Sequence, residues 1–219
     1  MGIKGEREEI RLPSHWGEAV HTLHGNGSDT LVVLLPGQNY SCARPVLHIA
    51  RRAALEAGLD VLEIEYGYFG AHRALERDQV PVVMRESAEA VQKVQSGYKR
   101  IVLVGKSLGS IAVGEVSAAL ERSRGLDELR HLYLTPISLT LPHIERTGGT
   151  VVYGTEDPAF GPDETSRLAD ISGVSDVRTV RVEGANHGLE TADLPGSIDI
   201  LKRLAEVYTD FLEEAAGRD

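Results

Sequence analysis

Two stretches, residues 31–35 (LVVLL) and 101–104 (IVLV), contain no polar side chain. A strand with one face in water alternates polar and apolar residues. An unbroken β-branched and leucine run of this length therefore marks a strand covered on both faces. Such strands belong to parallel sheets flanked by helices on each side. With 219 residues, the chain suits one domain over 1–219, large enough to bury roughly 70% of its unfolded surface.

The rest of the pattern agrees. Residues 8–13 and 19–23 read as two short leading strands, followed by the turn-rich HGNGSD of residues 24–29. Helical patterns over 43–57, 80–96, 108–124, 163–171 and 197–215 alternate with strand patterns over 60–65, 100–104, 131–135, 150–153 and 177–182. The expected architecture is α/β: a mostly parallel central sheet of about seven or eight strands with helices on both faces. Residues 66–79 (YGYFGAHRALERDQ) form the least regular connection.

Charge and cysteine content narrow the function. Lys and Arg number 23 against 33 Asp and Glu, a formal net charge of −10. An acidic chain without a basic run repels phosphate backbones and anionic headgroups, so neither nucleic acid nor membrane is the expected partner. Cys42 is the single cysteine, which excludes an internal disulfide and a cysteine-rich zinc site. The start, MGIKGEREEI, lacks an apolar h-region, and no apolar run approaches ~20 residues. A soluble cytoplasmic protein is expected.

The sharpest motif is Gly105-Lys106-Ser107-Leu108-Gly109, a G-x-S-x-G between an apolar strand and an apolar helix. This is the context of a nucleophile elbow. The serine occupies a strained turn that lifts its hydroxyl clear of the sheet, and small residues are needed two positions to either side. The same residues do not make a phosphate-binding P-loop. That motif needs glycine at position 100, which is Arg100, and a loop where IVLV stands.

A serine hydroxyl needs a base, and the base an orienting acid. Downstream, His143 has no strand before it, whereas His187 follows VRTVRV within GANHG. His187 is the candidate base. The acid should follow the preceding strand, where TVVY runs into Gly154-Thr155-Glu156-Asp157-Pro158. Asp157 is favoured, with Glu156 its neighbouring rival. A developing oxyanion also needs backbone donors. The N–H of Leu108 comes with the elbow, at the positive end of a helix. The second is expected from Gln38, in the Pro36-Gly37-Gln38-Asn39-Tyr40 loop after LVVLL.

LLPGQN, GKSLGS, YGTEDP and GANHG, in this order, resemble the α/β-hydrolase superfamily from about residue 30 to the last helix. The resemblance implies Ser107 as nucleophile, Asp157 as acid, His187 as base, Gln38 and Leu108 as the oxyanion hole, and no metal or cofactor. Two departures stand out. Pro36-Gly37 replaces the more frequent His-Gly, and Lys106 precedes the nucleophile, where it is expected to pair with a surface carboxylate rather than select an acidic substrate. Only residues 136–149 lie where lidded relatives insert a cap, so no cap domain is expected. The chain is similar to small esterases and dienelactone hydrolases, although the latter usually carry cysteine in place of Ser107. The expected function is hydrolysis of an ester, thioester or related acyl bond of a small soluble substrate. The alternative is a non-catalytic binding module on the same fold.

Overall fold

A computed structural model describes residues 6–121 and 126–217. Strands β1 (Glu6–Ser14) and β2 (Gly17–Gly25) form an antiparallel hairpin joined at Ser14↔Gly17. Strands β3 (Thr30–Leu35), β4 (Asp60–Glu63), β5 (Arg100–Lys106), β6 (Glu128–Leu134), β7 (Gly149–Gly154) and β8 (Val177–Val182) follow. Together they make one eight-stranded sheet in the order β1-β2-β4-β3-β5-β6-β7-β8. β2 pairs antiparallel with β4, and all pairings from β4 to β8 are parallel.

Helices α1 (Pro45–Glu56), α2 (Gly67–Gly70), α3 (Val80–Val94), α4 (Leu108–Leu120), α5 (Leu141–Thr147), α6 (Pro162–Ser172) and α7 (Leu194–Ala215) complete the fold. The period-2 alternation of each strand sends its side chains to two separate cores. Leu31, Val33, Leu35, Ile101 and Leu103 pack with α3, α4, α5 and α6. Val32, Leu34, Val102 and Val104 pack with α1 and α7 on the other face. All six residues of β3 are buried, as its unbroken apolar run requires.

The differences from the sequence reading lie in connections and ends. The hairpin strands are longer than expected, because pairing extends past the apolar residues onto an edge that water can cover. The irregular stretch 66–79 holds the four-residue α2 and a 3₁₀ turn at Arg77–Gln79. Helix α5 departs from the sequence expectation: its seven residues make about two turns, with Pro142 in the first, too few to show a helical period. Helix α7 starts at Leu194 rather than 197, with Asp193 Oδ1 accepting the N–H of Gly196 at 2.8 Å as its N-cap. The expected end of the helix after the elbow, residue 124, lies outside the described residues. Among those described, no helix is long and apolar enough to cross a membrane. No cap domain interrupts residues 136–149, which hold a 3₁₀ turn and α5.

Candidate active site

Because β3, β5, β6, β7 and β8 are parallel, the loops that leave them all open onto one edge of the sheet. Ser107 stands there between β5 and α4 with φ 54° and ψ −113°. That conformation costs an L-residue of order 1–3 kcal/mol and persists only where its surroundings impose it. The surroundings are the two glycines. A Cβ on Gly105 would strike the carbonyl of Gly109 and the Val113 side chain, and one on Gly109 would strike the carbonyl of Leu35. The backbone of α4 is thus pressed against both β5 and β3. Eleven of its 13 residues are buried, so packing holds it from all sides.

His187 lies on the loop after β8, 80 residues from Ser107 in sequence, with Nε2 2.8 Å from the serine Oγ. Its Nδ1 lies 2.8 Å from Oδ2 of Asp157, on the loop after β7. The imidazole side chain is 33% exposed and the carboxylate 0%. Both carboxylate oxygens are used, since Oδ1 accepts the N–H of Ala159 at 2.8 Å and so builds the turn past Pro158. A neutral imidazole that donates Nδ1–H to Asp157 leaves Nε2 free to accept the serine proton. Glu156 is exposed, and its N–H donates to Ala185 O at 2.9 Å. The two loops are drawn together at Gly154, where a Cβ would collide with Ala185. Thr155 Oγ1 accepts the N–H of Gly184 at 2.8 Å across the same junction.

The loop after β3 passes directly over the serine. A Cβ on Gly37 would sit 3.6 Å from that of Ser107. Gly37 and Tyr40 exchange backbone hydrogen bonds, Gly37 N–H to Tyr40 O at 3.0 Å and Tyr40 N–H to Gly37 O at 3.3 Å. A trans peptide points its N–H opposite to its carbonyl. The Gly37 carbonyl is turned toward Tyr40, so the Gln38 N–H is directed out of this turn. Two buried tyrosines fix the flanking peptides: Tyr66 Oη donates to Pro36 O at 2.8 Å and Tyr68 Oη to Gln38 O at 2.7 Å. These struts lie in the stretch that looked least regular in sequence, and an aromatic-rich YGYF was the only sign of them. The Leu108 N–H opens α4, where first-turn donors have no partner within the helix.

His143 does not approach this cluster through any hydrogen bond; its ring packs over Gly114 of α4. His21 and His131 are buried, and burial lowers both pKa values to about 4, so they are neutral inside the fold. His131 shares a 3.0 Å hydrogen bond with Ser117.

Lys106 departs from expectation. It meets no surface carboxylate; the residue is 2% exposed. Its position is dictated by β5, whose alternation points residue 106 to the same face as Val102 and Val104. Nζ donates to His187 O at 2.8 Å and to Thr135 Oγ1 at 3.0 Å, and lies 4.5 Å from the centroid of the Tyr40 ring. Burial lowers its pKa to about 8, opposed by the charges of Asp157 and Glu190.

Among the described residues no group of three or more His, Cys, Asp or Glu side chains is placed to hold a metal ion.

No family model and no curated protein matches this chain. Solved structures do, and they establish the α/β-hydrolase fold. An alpha-beta serine hydrolase homologue from Coxiella burnetii is 16% identical with a TM-score of 0.68, over 94% of this chain and 97% of that one. A dienelactone hydrolase from Anabaena variabilis is 14% identical with a TM-score of 0.70, over 96% and 98% of the two chains. An esterase from Pyrococcus furiosus is also 14% identical, TM-score 0.70, over 97% and 94%. At such identities the likeness is one of fold.

Proposed function

We propose that this chain is a serine hydrolase that cleaves a carboxylic ester, thioester or related acyl bond of a small substrate through an acyl-enzyme. The observation that carries the reading is the unbroken relay from Asp157 through His187 to a serine held at positive φ, with 2.8 Å at each step. Ser107 Oγ attacks the carbonyl carbon while His187 Nε2 takes its proton, and Asp157 stabilises the resulting imidazolium. The N–H groups of Gln38 and Leu108 receive the oxyanion. Collapse expels the leaving group, which takes the proton from His187. Water then repeats the sequence to release the acid.

The surroundings favour a neutral, apolar leaving group. The general acid must reach the leaving oxygen, so that half of the substrate lies on the His187 side. A groove of about 390 Å³, lined by Gly188 next to His187 in the chain, runs between α1 and the first turns of α7. Val46, Leu194, Ile198 and Leu201 line it together with the carboxylates Glu190 and Asp193, and it presents no Lys or Arg. Leu194 and Ile198 are 72% and 54% exposed, one helical turn apart. Lack of a cation there disfavours phosphate-bearing carriers.

A fluorophosphonate probe tests the reading. Labelling of the native protein that disappears in Ser107→Ala supports it, as does turnover of short-chain esters or thioesters. A folded native protein that takes no label and turns over no acyl substrate is a binding module instead.

A further inference from the structure

We infer that Lys106 is a positioning residue: its buried ammonium clamps the His187 turn onto the nucleophile elbow and so fixes where the imidazole stands. The kinetic consequence rests on the hydrolase reading; the clamp itself does not.

An apolar side chain would fill this position without desolvating a charge. Replacing buried charges by apolar groups of similar volume is often neutral or stabilising, so stability alone does not account for a lysine here. What the lysine supplies is three N–H donors on one atom. One goes to His187 O and one to Thr135 Oγ1. The third faces the Tyr40 ring. Tyr40 follows β3, Thr135 follows β6, His187 follows β8, and Lys106 itself ends β5. Four strand ends, three of which carry residues of the candidate site, therefore converge on a single nitrogen.

Backbone strain marks the same place. Among the described residues, four that are not glycine have positive φ, and three of them are Ser107, Thr135 and Leu189. The first follows Lys106 directly, the second accepts a hydrogen bond from it, and the third lies two residues past His187. Strained conformers persist where neighbours over-determine them. The imidazole is then held at two points, its ring by Asp157 and its backbone by Lys106. Without the second, the ring can follow its loop away from Ser107. Asp157 and Glu190 offset the ammonium charge.

The experiment compares Lys106→Met, which keeps the length and apolar shape, with Lys106→Gln, which keeps a neutral donor. Lys106→Met is expected to melt at or above the native temperature, yet to lose about 10–100-fold in fluorophosphonate labelling rate and in kcat, since misplacement on the ångström scale costs this much. KM should change little. Lys106→Gln should recover a substantial part of the rate. In proton NMR, the native protein should show a His187 Nδ1–H resonance from its bond to Asp157, and this resonance should broaden or vanish in Lys106→Met. A Lys106→Met protein with native labelling, kcat and resonance overturns the proposal, as does a lower melting temperature with kcat intact. If Lys106→Met does not fold, Thr135→Val removes one acceptor, and a native rate in that variant overturns the proposal equally. If native protein takes no Ser107-dependent label, the hydrolase reading fails while the resonance still decides the clamp.

Discussion

Tyr68 Oη donates to the carbonyl oxygen of Gln38 at 2.7 Å, and thereby holds the peptide next to the one whose N–H is proposed to meet the oxyanion. Tyr68→Phe deletes that strut without opening a cavity. It is expected to cost about 1 kcal/mol in stability, the usual worth of such a bond, and to lower kcat severalfold with KM nearly constant. Urea titration and steady-state kinetics check it. An unchanged kcat would mean that the exchange between Gly37 and Tyr40 suffices to hold the loop.

The donor itself can be tested through the backbone. Gln38→Ala keeps the N–H and should leave kcat near native. Gln38→Pro removes it and should cost ~100-fold or more. Circular dichroism and melting temperature must first show a native fold, because proline also restricts Gly37. A folded Gln38→Pro protein with native kcat removes Gln38 from the site.

Ser107→Ala, His187→Ala and Asp157→Asn should each lower kcat by orders of magnitude, with a double variant scarcely worse than a single one, because the groups act as a unit. Glu156→Gln should be nearly silent, since that side chain is exposed and only its backbone is tied. A crippled Glu156→Gln beside a mild Asp157→Asn would exchange their roles.

Much of this arrangement was legible beforehand, for reasons of sterics. A serine at an abrupt strand-to-helix turn tolerates only small neighbours, and Gly105 and Gly109 report that locally. Strands buried on both faces carry few polar residues, and 31–35 reports that too. Lys106 was misjudged because nothing local says that its partners stand 29 and 81 residues away. By default a lysine points to water. Strand alternation contained the clue, since residue 106 shares the parity of Val102 and Val104. The tyrosine struts stayed hidden because hydroxyl-to-carbonyl bonds across 30 residues leave no periodic trace.

The groove proposed for the leaving group predicts a chain-length effect. Ile198→Ser should reduce kcat/KM for hexyl acetate several times more than for methyl acetate, at ~0.8 kcal/mol per buried methylene lost from contact. Fluorophosphonate labelling should be unaltered. An equal loss for both esters, or a loss that tracks the acyl chain instead, would place the alcohol elsewhere.

Lys106 also predicts how stability depends on pH. Its folded pKa of about 8 lies below the ordinary 10.5, so between these values the unfolded chain binds more protons than the native one. Stability contributed by this group therefore rises as pH climbs from about 8 to 10.5. Below 8 the penalty of the buried charge is fully present. The difference in urea midpoint between native protein and Lys106→Met should shrink across that window; a constant difference would refute it.

Ser107 meets His187 across 80 residues of chain, and Gly154 meets Ala185 at the far end of the sheet. During synthesis the elbow leaves the ribosome long before the strand that delivers the imidazole. A growing chain that stops short of β8 carries Ser107 with no His187 beside it. On the proposed mechanism, a ribosome-bound series of increasing length, probed for Ser107 labelling, would thus date the closing of the sheet: labelling should appear only once β8 and the loop that bears His187 are in place.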